Sequence, residues 1–104
     1  MFFRQHGDED AQNWIMEGLI NAVMTNRIPG WLNNIQLVIY PMINPDGADK
    51  VIRYNAHGYD LNRIWNLPKD EIIIIRSHIH SLITSGAIKV SIVWDMHGSI
   101  FDFI

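Results

Sequence analysis

No cysteine occurs among the 104 residues, so neither a disulfide staple nor a thiolate metal site is open to this chain. That absence fits a reducing compartment. No apolar stretch approaches the ~18 residues that a membrane span needs. The opening Met-Phe-Phe-Arg-Gln-His turns polar too soon for a signal peptide. A cytoplasmic protein with no membrane partner is therefore expected. Basic charge is scarce as well: 8 Lys and Arg stand against 11 Asp and Glu, for a net charge of −3, and the cations are scattered. Nucleic-acid binders carry a basic face or stripe, so no nucleic-acid partner is expected.

What the chain has is apolar matter. Hydrophobic residues make up 48% and charged residues 18%, the proportions of a globular protein. Four Trp, four Phe and three Tyr supply large core side chains. The length bounds the chain to one domain. No repeat, linker or low-complexity segment interrupts it.

Phe2-Phe3 reads as the tail of a strand, shorter than strands usually are. From Asp10 onward, Ala11, Trp14, Ile15, Gly18, Leu19, Ala22 and Val23 recur at helical spacing and predict a helix ending at 26–30. Asp8, Glu9 and Asp10 suit the positive end of its dipole. The run Ile35–Ile43 reads as a buried strand, with Pro41 at its end or on an edge. Asn44-Pro45-Asp46-Gly47 is a turn signature, and 48–59 has no clean period and reads as loop. Pro68-Lys69-Asp70-Glu71 opens a second helix, whose stripe Ile72, Ile75, Ile79, Leu82 and Ile83 runs to Gly86. Ile88–Trp94 reads as another buried strand, with a turn over 95–98, and Ile100–Ile104 closes on an apolar run. Strand, helix, strand, loop, helix, strand is an α/β order, which predicts a mainly parallel sheet with flanking helices. Such folds gather ligand residues beyond the carboxyl ends of their strands, where His6, Asn44 and His97 all fall.

Taken singly, the polar candidates are weak. His6 and Glu9 stand three apart, a spacing that lets an imidazole and a carboxylate converge on one cation, but it recurs by chance. His97 lies between Asp95 and Gly98, in a turn where glycine permits close approach. Asn62 and Arg63 put an amide beside a guanidinium, and a guanidinium grips a carboxylate through two parallel hydrogen bonds. Arg53 and Asp60 have ordinary surface explanations. His78 and His80 are two apart and diverge on a helix; with His57 they are left outside the site.

Jointly the pieces are specific. His6-Gly7-Asp8-Glu9, Asn44-Pro45-Asp46-Gly47, Arg53, Asp60-Leu61-Asn62-Arg63 with Trp65, and Asp95-Met96-His97-Gly98 resemble the zinc carboxypeptidase (metallocarboxypeptidase) family, nearest its bacterial and cytosolic-type branches. The resemblance implies a partial three-layer α/β/α catalytic domain over 1–104, truncated at both ends. It implies one zinc ion per chain, held by His6, Glu9 and His97 with a water completing the tetrahedron. Asp60 would orient the His6 ring from behind. Asn62 and Arg63 would grip the C-terminal carboxylate of a peptide or protein substrate, and Arg53 would polarise the scissile carbonyl as the catalytic cation. The family places its general-base glutamate and a substrate-capping tyrosine well after the third zinc ligand. The sequence stops at Ile104, seven residues past His97, so neither is expected here, and little peptidase activity is expected of this chain. Two other functions share these features. One is a zinc amidohydrolase of the aspartoacylase and succinylglutamate desuccinylase type, which Asn44–Gly47 and Trp65 disfavour. The other is a non-catalytic zinc- or carboxylate-binding remnant.

Overall fold

Among the described residues, three α-helices, α1 (Ala11–Met24), α2 (Pro45–Lys50) and α3 (Asp70–Thr84), and two single 3₁₀ turns, Trp31–Asn33 and Leu61–Arg63, carry the regular structure. The computed structural model describes residues 1–98; the apolar run Ile100–Ile104 lies outside them. No described helix is long and apolar enough to cross a membrane.

The second predicted helix forms as α3, with Asp70 and Glu71 in its first turn, where carboxylates favour the dipole. Gly86 follows its end at φ +71°, a left-handed exit that glycine takes without strain. Ile72 and Ile75 bury one face of α3 against Ile43, Leu61 and Ile64, with Phe2, Tyr40, Tyr59, Trp65 and Ile79 packed around them. This is the core. Asn55 pins a loop to the start of α3: its Nδ2 donates to Asp70 and Glu71, and its Oδ1 accepts from the backbone of His57 and Tyr59. The first predicted helix forms as α1 but does not join the core. Gln12 is its one buried residue, and Trp14, on the expected apolar face, is 73% exposed.

The expected parallel sheet is corrected. Among the described residues there is no strand ladder, only two isolated parallel bridges, from Phe2 to Tyr40 and from Phe2 to Asp95. Of the two stretches read as buried strands, 35–43 is half-buried and ends in the core at Ile43, whereas 88–94 is largely exposed, with Ile92 72% open to solvent. The reason is a shortage of pairing partners. Arg4 takes φ +56°, and although backbone bonds run on from Ile43 N to Phe3 O and from Asn44 N to Arg4 O, Phe2 is the one described residue bridged to both neighbours. The segments 34–38 and 87–94 both line an open groove of about 740 Å³. The three-layer α/β/α arrangement therefore does not form.

A second correction concerns Asn44–Gly47. Instead of a turn followed by loop, these residues start α2. Asn44 caps it by accepting from Gly47 N at 2.9 Å, and Pro45 sits in the first turn, where its missing N–H costs nothing.

Candidate metal centre

Two contacts bring distant segments together without a sheet. Backbone bonds hold Phe2 between Trp94 and Met96 on one side and Tyr40 on the other, through Phe2 N to Trp94 O, Met96 N to Phe2 O and Phe3 N to Tyr40 O. The turn after Phe3 then packs directly on α2. A Cβ on Gly7 would lie 2.0 Å from Gly47 C and 2.4 Å from Ala48 N, a space that only hydrogen can occupy. Buried Asn44 locks this contact, donating through Nδ2 to the carbonyls of Gln5 and Arg53, both at 3.2 Å. His6, the loop bearing Arg53 and Asp60, and the turn bearing His97 thus face one another.

Glu9 is the centre. His6 Nδ1 lies 2.8 Å from its Oε1, and His97 Nδ1 lies 3.1 Å from its Oε2. The two imidazole rings are 5.0 Å apart, centroid to centroid. His6 is 3% and Glu9 9% exposed, whereas the side chain of His97 is 28% exposed and closes the outer side. Each ring turns its other nitrogen to an aspartate: His6 Nε2 to Asp60 Oδ1 at 3.0 Å, and His97 Nε2 to Asp95 Oδ2 at 3.1 Å. A carboxylate at Nε2 accepts a ring proton there, so a ring whose Nδ1 proton is replaced by a cation would offer Nδ1 as the ligand atom.

These contacts govern the acids. Burial pushes the Glu9 carboxyl up, but hydrogen bonding to His6 and to Gly98 N–H, with the charges of His6 and His97, outweighs burial and holds it below its ordinary value. For Asp60, burial again opposes ionisation, and bonds to His6 and Arg53 overcome it and lower the pKa. Both groups are thereby carboxylates at neutral pH.

The donor atoms of His6, Glu9 and His97 lie within 4.8 Å of one another. Tetrahedral zinc with bonds of ~2.0–2.1 Å sets neighbouring ligands roughly 3.3 Å apart. With one donor atom from each residue inside 4.8 Å, the three need to draw in by at most roughly 1.5 Å to meet that spacing. Glu9 Oε2 already accepts from Gln12 Nε2 and Gly98 N at 2.6 and 3.0 Å, which leaves Oε1 the freer oxygen for a cation. Two imidazoles and one carboxylate are a donor set that zinc accepts, and the residues fit it.

The other candidates gather nearby. Asp60 caps the Leu61–Arg63 turn by accepting from Asn62 N at 3.0 Å, and its Oδ2 accepts from Arg53 Nε at 2.8 Å. Asn62 Nδ2 lies 3.1 Å from His97 Nε2. Arg63 is exposed, its guanidinium bonded to the carbonyl of Asn62. His57 pairs with Asp70, and His78 meets Tyr40 OH, so neither joins the centre. Three participants escaped the sequence reading. Gln12 follows Glu9 at the same three-residue spacing as Glu9 follows His6, which is a usable signal. Asp95 was read only as part of a turn. Gln5, fully buried between Asp95 and Trp65, carries no signal in the sequence.

The chain is similar to cytosolic carboxypeptidase 1 of Mus musculus, 33% identical over 72 residues, which is 66% of this chain and 6% of that protein. Cytosolic carboxypeptidase 4 of the same species is 30% identical over 102 residues, 91% of this chain and 9% of that protein. An uncharacterized protein of Zymomonas mobilis is 31% identical over 103 residues, 91% of this chain and 26% of that protein. The chain thus spans about a quarter or less of the length of these curated relatives. No family profile matches it, and no solved structure matches it. The similarities support a carboxypeptidase-like relationship and, at a coarse level, a hydrolase or peptidase origin.

Proposed function

We propose that this chain carries the metal-binding part of a zinc-dependent metallocarboxypeptidase, which removes the C-terminal residue of a peptide or protein. Zinc binding is proposed for the chain itself, at one ion per chain, and peptide hydrolysis for the complete protein. The observation that carries the proposal is the convergence of His6 Nδ1 and His97 Nδ1 on the two oxygens of one glutamate, from positions 91 residues apart (97 − 6).

In this assignment His6, Glu9 and His97 hold the ion, and Asp60 keeps the proton of His6 on Nε2. Bound zinc supplies a Lewis acid and an acidified water. Arg53, anchored by its Nε on Asp60, would present its remaining N–H groups to a carbonyl oxygen. Arg63 is open to solvent and Asn62 lies at the edge of the centre, as a pair that grips a substrate carboxylate must be. The curated relatives named as carboxypeptidases favour this function over an N-acyl amino acid hydrolase. A cytoplasmic location belongs to the same proposal, supported by the lack of cysteine and by the word cytosolic in the relatives' names.

Calorimetric titration of zinc into the metal-free chain at about pH 8, above the ordinary imidazole range, tests the binding claim. One site per chain is expected. His6→Ala and His97→Ala should each lower affinity by more than the ~10–100-fold that loss of an outer partner costs. A wild-type chain with no saturable zinc site sinks the proposal.

A further inference from the structure

Trp65 has no part in the chemistry above, yet it begins a line of side-chain hydrogen bonds that ends on Glu9. Its Nε1 donates to Gln5 Oε1 at 2.6 Å. The fully buried Gln5 amide donates through Nε2 to Asp95 Oδ1. The second oxygen of Asp95 meets His97 Nε2, and His97 Nδ1 meets Glu9 Oε2, both at 3.1 Å.

The polarity of this line is forced from its far end. An indole N–H can only donate, so Gln5 must turn its oxygen to Trp65 and its amide N–H to Asp95. An ionised carboxylate can only accept, so Asp95 takes one proton from Gln5 and the other from His97 Nε2. When a cation takes Nδ1 in place of a proton, the ring keeps one proton, and Asp95 fixes that proton on Nε2. We propose that Asp95, Gln5 and Trp65 are positioning residues that hold His97 in its Nε2–H tautomer and aim its Nδ1 lone pair at the cation site. They do for His97 what Asp60, held by Arg53 and Asn62 N, does for His6.

A consequence reaches the substrate side. Asn62 Nδ2 lies 3.1 Å from the same His97 Nε2, and that nitrogen cannot donate to Asp95 and accept from Asn62 at once. Once Nε2 carries its proton for Asp95, the Asn62 amide must turn its oxygen to the ring or leave it.

The inference rests on the zinc assignment, and the test separates the two. Asp95→Asn keeps the shape but offers one acceptor to two donors, so either Gln5 or His97 loses its bond. Zinc affinity of the folded variant should fall about 10–100-fold. Trp65→Phe keeps a ring against Phe2, whose centroid lies 5.1 Å from the indole, but removes the N–H that orients Gln5. Its affinity should fall in the same direction by less. In long-range proton–nitrogen spectra of the zinc-loaded wild type, His97 should coordinate through Nδ1 and show a slowly exchanging Nε2–H, lost in Asp95→Asn. A wild type that binds zinc while Asp95→Asn binds it equally well, or a His97 that coordinates through Nε2, overturns this inference alone. A wild type that binds no zinc overturns the zinc assignment and this inference with it.

Discussion

Replacing Gly7 with alanine places one methyl group against the backbone of α2, and the structure fixes how badly it fits. The added Cβ would lie 2.0 Å from Gly47 C, 2.3 Å from Gly47 O and 2.4 Å from Ala48 N. An unstrained carbon–carbon contact is about 3.5–4.0 Å, so the two segments must separate by roughly 1.5 Å. All three obstructing atoms belong to the backbone, so no side chain can rotate out of the way. Overpacking in a well-filled region costs about 1–3 kcal/mol, and the lack of any soft neighbour puts Gly7→Ala at the upper end, about 3 kcal/mol. Since Gly7 lies between His6 and Glu9, zinc affinity should fall in the same variant. The assay is urea unfolding, with the midpoint moving and the slope unchanged. Gly18→Ala is the internal control. Nothing lies within 4 Å of its added Cβ, and alanine in the interior of α1 should stabilise by about 0.5–1 kcal/mol. A Gly7→Ala chain within about 0.5 kcal/mol of wild type, the range of an innocuous surface change, would refute the close packing that positions the centre.

The remaining predictions follow from single groups. Asn44→Ala removes the α2 cap and leaves the carbonyls of Gln5 and Arg53 without their donor; a loss of about 2–4 kcal/mol is expected in the same unfolding assay. Glu9 and Asp60 have folded pKa values below their ordinary 4.5 and 3.8. The unfolded chain therefore binds these protons first on acidification, and the stabilisation, complete above the ordinary values, is lost as pH falls through the lowered ones. Melting temperature should drop across that window, and Glu9→Gln with Asp60→Asn should flatten the drop; an unchanged acid limb in the double variant would contradict it. Gln12→Leu removes one of the two donors that hold Glu9 Oε2, so its zinc affinity should fall about 10–100-fold, read by competition with a chelator.

How much of this was legible in the sequence differs between helices, strands and site. The periodicity of Ile72, Ile75 and Ile79 locates α3 and its buried face, because tertiary packing there follows the local pattern. The same logic fails for α1, where Trp14 and Ile15 keep helical spacing but face solvent. A local period says which side is apolar, never what covers it. It fails more fully at 35–43 and 88–94. β-Branched, apolar runs encode a preference for extended backbone, but a sheet also needs neighbours in register. Among the described residues Phe2 alone is bridged to both Tyr40 and Asp95. Much of the interior was illegible because it is polar: Gln5, Gln12, Asn44 and Asn55 are buried, each satisfied by its own hydrogen bonds. Composition assigns such residues to the surface. The candidate centre was legible for a different reason. Close approach between Gly7 and Gly47, a cap at Asn44 and an aspartate behind each imidazole all require one residue type at one place, so their motifs survive in the sequence although the sheet expected to carry them does not form.

The central claim is that His6, Glu9 and His97 together hold one cation. X-ray absorption at the zinc edge of the loaded chain tests it most directly. Light-atom ligands at ~2.0–2.1 Å, two of them imidazoles and none of them sulfur, are predicted, with one imidazole left after His97→Ala. A zinc ion with no imidazole ligand, or one whose imidazole count is unchanged in His97→Ala, contradicts the account.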